Sequence, residues 1–315
     1  MKIKKEYLIL FLIIAVLVLY ITLRKGNRIQ YEIPEVTELT PDSISGIIIQ
    51  GNNSKTVLTK EDDKWLIGPD KYVADSYKIE KMINFLKKPV LMTVVSDSKD
   101  YMRYGLDDKN RIIVKALSGD TPKRMIEIGY HTDVRNYTFI KLEDDYRVYQ
   151  AREDLRDIFS TDIDDIRDKT VLSFNVQEVE NIYLTRDGKE LAFNKKEMPS
   201  EGEEGKTVIQ WETGDGKKIE AALMHSLLDD ILGIKCAEYI YDINEGQLGD
   251  PAYVIRIRDK NDHVLTVYPK LEEDFRAVSS DNPTPFSLYS WRIDNVIEKF
   301  DKMLGEGDKK EAESD

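Results

Sequence analysis

The sequence predicts an α+β fold in which an N-terminal transmembrane helix is followed by two tandem, internally duplicated α+β units. Each unit is expected to be an antiparallel-rich sheet with one main helix packed on it. Three observations predict this. Tyr146 to Phe159 reads YRVYQAREDLRDIF and Phe286 to Phe300 reads FSLYSWRIDNVIEKF, so the chain states one closing motif twice. Short alternating apolar runs dominate both halves, and a single helical pattern per half must cover a sheet face that would otherwise stay wet. Finally, Tyr7 to Leu23 is an uncharged run of about 17 residues, near the lower limit for crossing a bilayer core.

The elements follow in chain order. Residues 1–6 form a short basic tail with Lys2, Lys4 and Lys5, and 7–23 form the anchor. Leu8 to Ile14 would put apolar side chains on every helical face, whereas a soluble amphipathic helix keeps a polar one. Arg24, Lys25 and Gly26 follow without a small-x-small cleavage pattern, so the segment is expected to stay attached. The only cysteine, Cys236, lies too far away for lipoprotein processing and has no disulfide partner. Flanking charges nearly tie, and the short leading tail tips the expected topology to amino terminus inside and main domain outside a bacterial cytoplasmic membrane.

Residues 24–42, marked by Pro34 and Pro41, read as a stalk. The first unit spans 43–160: Ile44, Ile47 and Ile49, a turn at Gly51 to Ser54, then Val57, Leu58 and Trp65. Its helix carries Ile79, Met82, Ile83 and Leu86 at helical spacing, with Asp75 or Ser76 as cap and Pro89 as terminator. Strands are expected at Val90 to Val95, Ile112 to Ala116 and Ile126 to Ile128. A connector, 161–175, leads to the second unit, 176–303.

There Val179, Ile182 and Leu184 precede Asp187-Gly188, a strong hairpin signal, and then Phe193 and Trp211. Met198 to Lys206 reads as an inserted polar loop. The helix is marked by Leu223, Leu227 and Ile231 and closed by Gly233. Strands are expected at Cys236 to Tyr241, Tyr253 to Ile257 and Leu265 to Val267, before a terminal helix. Gly305 to Asp315 lacks apolar content, and 304–315 reads as a disordered acidic tail.

Charge narrows the partners. The chain carries −13, and the region through Arg28 holds six basic residues and one acidic, so the remainder carries −18. A field of that sign opposes phosphate backbones and anionic lipid surfaces, so no nucleic-acid partner is expected.

Candidate chemistry is thin. Gly202 to Thr207 ends like a phosphate-binding loop, but Ser200 stands where the first glycine belongs and Glu203 and Glu204 would repel phosphate. Asp162, Asp164, Asp165 and Asp168 have the wrong spacing for a calcium loop, with Ile166 at a ligand position, and describe a solvated helix face. His131, His225 and His263 are the only near-neutral acid–base groups, and none sits in a hydrolase or zinc motif. Tyr149 and Tyr289 occupy corresponding places in the two closing motifs, which points to a shared core rather than a binding platform. No catalytic, cofactor-binding or metal-ligating residue is therefore assigned, and no cofactor is expected.

Trp65, Tyr72-Val73-Ala74-Asp75, Tyr104-Gly105-Leu106, Ile126-Glu127-Ile128-Gly129, Tyr137-Thr138-Phe139, Val148-Tyr149 and Arg167-Asp168-Lys169, behind a leading membrane segment, resemble the DUF 4340 family, a domain of unknown function. The second unit departs from the pattern with Gln247-Leu248-Gly249 in place of Tyr104-Gly105-Leu106. The family offers no catalytic residue to carry over. Its members often stand beside ABC-type transporter components of the gliding-motility kind, which implies an envelope-facing accessory subunit.

The expected function is thus a non-enzymatic, single-pass membrane protein whose ectodomain binds other membrane or envelope proteins, ABC transporter subunits among them. The alternatives are a cell-wall or polysaccharide binding module and, more weakly, an unrecognised hydrolase. The unequal parts of the two units, Met198 to Lys206 and Asp281 to Pro285, are the places to look for a partner.

Overall fold

Alternation of apolar and polar residues builds two antiparallel sheets. The computed structural model describes residues 5–23, 32–133, 136–199 and 207–305. Helix α1 (Lys5–Leu23) is followed by β1 (Gly46–Gln50), β2 (Lys55–Glu61), β3 (Lys64–Ile67), β4 (Tyr72–Val73), α2 (Ser76–Lys87) and β5 (Leu91–Ser96). Next come β6 (Ile112–Ser118), β7 (Thr121–His131), β8 (Tyr137–Leu142), β9 (Val148–Arg152), and the single turns α3 (Leu155–Ile158) and α4 (Ile163–Ile166). The second series is β10 (Asn181–Arg186), β11 (Lys189–Pro199), β12 (Thr207–Thr213), β13 (Lys218–Ile219) and α5 (Ala221–Leu232). It continues with β14 (Tyr253–Arg258), β15 (Asp262–Leu271), β16 (Asp274–Ser279), β17 (Phe286–Leu288) and α6 (Ser290–Leu304).

The first sheet has the order β4-β3-β2-β1-β6-β7-β8-β9-β5, and the second β13-β12-β11-β10-β14-β15-β16-β17. Position by position the two orders correspond. Where β5 closes the first sheet, the second has one bridge, Tyr239 to Phe286. By contacts, the described residues up to Leu58 group with Glu80–Thr161, and Thr59–Ile79 group with those from Asp162 onward. The expected units, 43–160 and 176–303, are cut differently from this grouping.

In the first unit, paired registers align buried side chains across strands. One row runs Ile112, Ile128, Ile140, Tyr149 and Val94. Burial of such rows contributes about 25 cal/mol per Å² of apolar surface removed from water. Helix α2 turns Met82, Phe85 and Leu86 inward, and Phe85 meets Phe159 edge-on at 6.0 Å. Its cap is Asp75, whose carboxylate accepts the Tyr77 and Lys78 amides. Gly129 explains part of its motif: an added Cβ would lie 2.1 Å from the Tyr104 carbonyl oxygen, so only glycine lets these backbones approach.

The second unit's rows include Phe193, Ile182, Ile257 and His263, and Leu191, Leu184, Ile255, Leu265 and Ser279. Two helices cover them. Helix α5 buries Met224, Leu227, Leu228 and Ile231, and α6 buries Ile293, Val296, Ile297, Phe300 and Met303.

Several expectations need correction. The second unit carries two long helices rather than one, because the closing motif becomes a 15-residue helix there and a single four-residue turn, α3, in the first. Tyr149 is fully buried but Tyr289 is 51% exposed at the α6 N-cap. Tyr149 lies within β9, whereas Tyr289 follows β17, so the two tyrosines do not hold like places in their units. Leu223 is exposed and Met224 takes its place in the buried stripe, while Leu227 and Ile231 are buried as expected. Cys236 to Tyr241 is no strand beyond the Tyr239 bridge. Met198 and Pro199 belong to β11 rather than to a loop.

Within the connector 161–175, Val171, Leu172 and Phe174 enter the second unit's core. The stalk is partly docked, because the last carbonyls of α2 lack helical partners. Leu39 donates to the Lys87 carbonyl, Arg124 donates to the carbonyls of Leu86, Lys87 and Thr37, and Glu38 pairs with Lys87 and Lys88.

In α1, Tyr7, Ile9 to Ile14 and Val16 to Tyr20 are all at least half exposed. Among the described residues no helix is long and apolar enough to cross a membrane. Residues 1–4, 24–31, 200–206 and 306–315, with the parts of the tail, stalk and insertion readings that fall on them, lie outside the described residues.

Candidate functional site

Strand β11 outruns its neighbour. Its pairing with β10 stops at Asn194, while its pairing with β12 continues from Lys195–Trp211 to Pro199–Thr207. The result is a two-stranded arm. Across its inner face runs α5, whose first turn offers only Ala221 and Ala222, and the small side chains leave a cleft of about 370 Å³. Trp211 and Leu228 are buried within its lining, and Ile209, His225, Val176 and Gln177 complete it with Lys195.

Lys195 donates its Nζ to the Gln177 carbonyl at 2.7 Å and so ties the arm to the segment before β10. Strand β13 pairs only with Trp211 and Glu212, leaving the outer side of Thr207 to Gln210 beyond that ladder. Val208, Ile209 and Met198 there are 52%, 46% and 39% exposed. Among the described residues the lining holds one imidazole and one ammonium, with no carboxylate, hydroxyl or thiol beside them. Such a surface offers apolar contact and a strand edge.

The other sequence candidates are scattered. His131 is exposed at the end of β7, and the aspartates of 162–168 serve local structure. Asp162 caps α4, Asp168 accepts from the Thr170 amide and hydroxyl, and Asp164 accepts the Tyr241 hydroxyl. Burial, with Asp164 beside it, pushes the Tyr241 phenol up to about 12. Among the described residues no His, Cys, Asp and Glu group is arranged to hold a metal ion. Cys236 is buried, and that burial pushes its thiol up, away from reactivity.

The loop Asp281 to Pro285, singled out by its length, is committed inward. Asn282 and Thr284 accept from Arg167, and Asp281 holds His263. Arg167 is 6% exposed and lies between the rings of Tyr239 and Tyr72, at 3.5 and 3.9 Å from their centroids. Lys169 donates to the Ala237 carbonyl. The Arg167-Asp168-Lys169 motif thus fastens the connector, and no sequence spacing announces the aromatic pair around it.

Two antiparallel sheets, an apolar cleft beside a protruding hairpin arm and motifs absorbed by packing define an α+β protein. The chain belongs to the family described as Domain of unknown function (DUF4340), which matches residues 65–253, from Trp65 in β3 to Tyr253 at the start of β14. No curated protein and no solved structure matches the chain.

Proposed function

We propose that this is a non-enzymatic, single-pass membrane-anchored protein whose tandemly duplicated ectodomain binds other envelope proteins as an accessory of an ABC-type transporter assembly. The observation that carries the binding reading is the cleft and the adjoining open side of β12, where Ile209 is 46% exposed within an apolar lining. The corresponding strand orders support the duplication, and the uncharged run from Tyr7 supports the anchor. The lining favours a protein surface over a polysaccharide, since sugars ask for several polar side chains around an aromatic face.

Purification from native membranes in mild detergent tests it. Transporter subunits are expected to accompany the wild-type chain and to be lost from Ile209→Glu, which keeps the buried residues intact. Repeated recovery of the wild type as a lone monomer overturns the reading.

A further inference from the structure

We infer that His263 is a proton-dependent clasp on the cleft wall: the doubly protonated ring holds the Ser173 to Gln177 segment in place, and loss of one proton loosens it. His263 is 7% exposed on the inward side of β15, paired with Ile257. Its Nδ1 lies 3.1 and 2.9 Å from the two carboxylate oxygens of Asp281, and its Nε2 lies 3.2 Å from Oδ1 of Asp259. Neutral imidazole has one N–H, so it can donate to only one of these carboxylates and turns a lone pair on the other. The imidazolium satisfies both.

The same two carboxylates hold the connector. Asp281 accepts the Ser173 amide at 2.7 Å, and Asp259 accepts the Asn175 amide at 3.0 Å. Asn175 in turn accepts the Gln177 amide at 3.1 Å, and Val176 and Gln177 line the cleft. Phe174, between the two tied residues, sets its ring 6.1 Å from the imidazole.

The remaining charges around the ring are already matched. Arg258 holds Asp262, Lys260 pairs with Glu178, and the Ser280 hydroxyl donates to Asp281. Burial by itself would lower the affinity of His263 for a proton, but Asp281 and then Asp259 outweigh it and raise its pKa above 6.5. A group whose folded pKa is raised stabilises the fold below its unfolded pKa. That contribution is lost as pH climbs through the folded value.

The inference concerns regulation of the proposed docking cleft and rests on that reading for its biological consequence only. Hydrogen exchange of the full-length chain in mild detergent tests it without any partner, so its failure and that of the docking reading are separable. After correction for intrinsic exchange, protection over 173–178 is expected to fall about tenfold between pH 6 and pH 9 relative to β14–β16, the size of losing one charge-assisted hydrogen bond.

Asp259→Asn should abolish the fall, because its amide nitrogen can donate to the bare Nε2 while its oxygen keeps the Asn175 amide, at the loss of the bond from the Asn261 amide. His263→Gln should show the weaker protection at both pH values; if it does not fold, the wild type and Asp259→Asn decide. Unchanged protection over 173–178 in the wild type overturns the inference, as does a fall that persists in Asp259→Asn.

Discussion

Burying a guanidinium is unfavourable by several kcal/mol unless its charge and donors are met, and Arg167 meets them with two tyrosine faces and neutral oxygens. Arg167→Met is expected to cost about 2–4 kcal/mol in urea unfolding, from lost cation–π stacking and orphaned partners. Arg167→Lys should recover little, because a point ammonium cannot lie flat between rings. Asp145 is a second case. Its hydrogen bonds from Arg147 hold the carboxyl down to about 2 against the opposing effect of burial, with Tyr149 adding a further bond. A depressed carboxylate stabilises the fold above its unfolded pKa and loses that contribution as pH falls through the folded one. Stability of the wild type should therefore drop more than that of Asp145→Asn between pH 4 and pH 2, read by urea midpoint.

At the scale of elements, periodicity carried far and phase did not. The helix around Ile79 to Leu86 was legible with its Asp75 cap, because an apolar stripe and a capping carboxylate are both local in sequence. In α5 Leu227 and Ile231 were legible as buried, and packing took Met224 and Leu228 into the stripe in place of Leu223. Leu223→Asp should leave stability within about 0.5 kcal/mol, whereas Leu227→Ala should cost about 2–5 kcal/mol by thermal or urea unfolding. The docked end of the stalk makes a related point. It reads as polar and irregular, yet it supplies what the end of α2 lacks, so Arg124→Met should increase proteolysis near Thr37 while leaving Leu227 contacts untouched.

For the whole molecule, the strand orders correspond while the two copies of the closing motif diverge into one turn and one long helix. The candidate cleft arises where the second sheet's arm has outgrown its neighbour, and Met198 to Lys206 flagged that region by its length alone. The predicted loss of co-purifying partners from Ile209→Glu belongs here, since it should occur with an unchanged urea midpoint.

By itself the sequence determined the α+β class, the family, most strands, both amphipathic helices and the apolar start of the chain, because each depends on neighbours within a few residues. Tertiary structure alone decided that Tyr149 is buried in a strand while Tyr289 caps a helix, that Arg167 stacks between Tyr72 and Tyr239, and that Asp259 and Asp281 meet across His263. Except for Asp259 and His263, which flank one hairpin turn, those contacts join residues well separated in the chain, and the pairing of the strands that brings them together is set by the packing of the whole core.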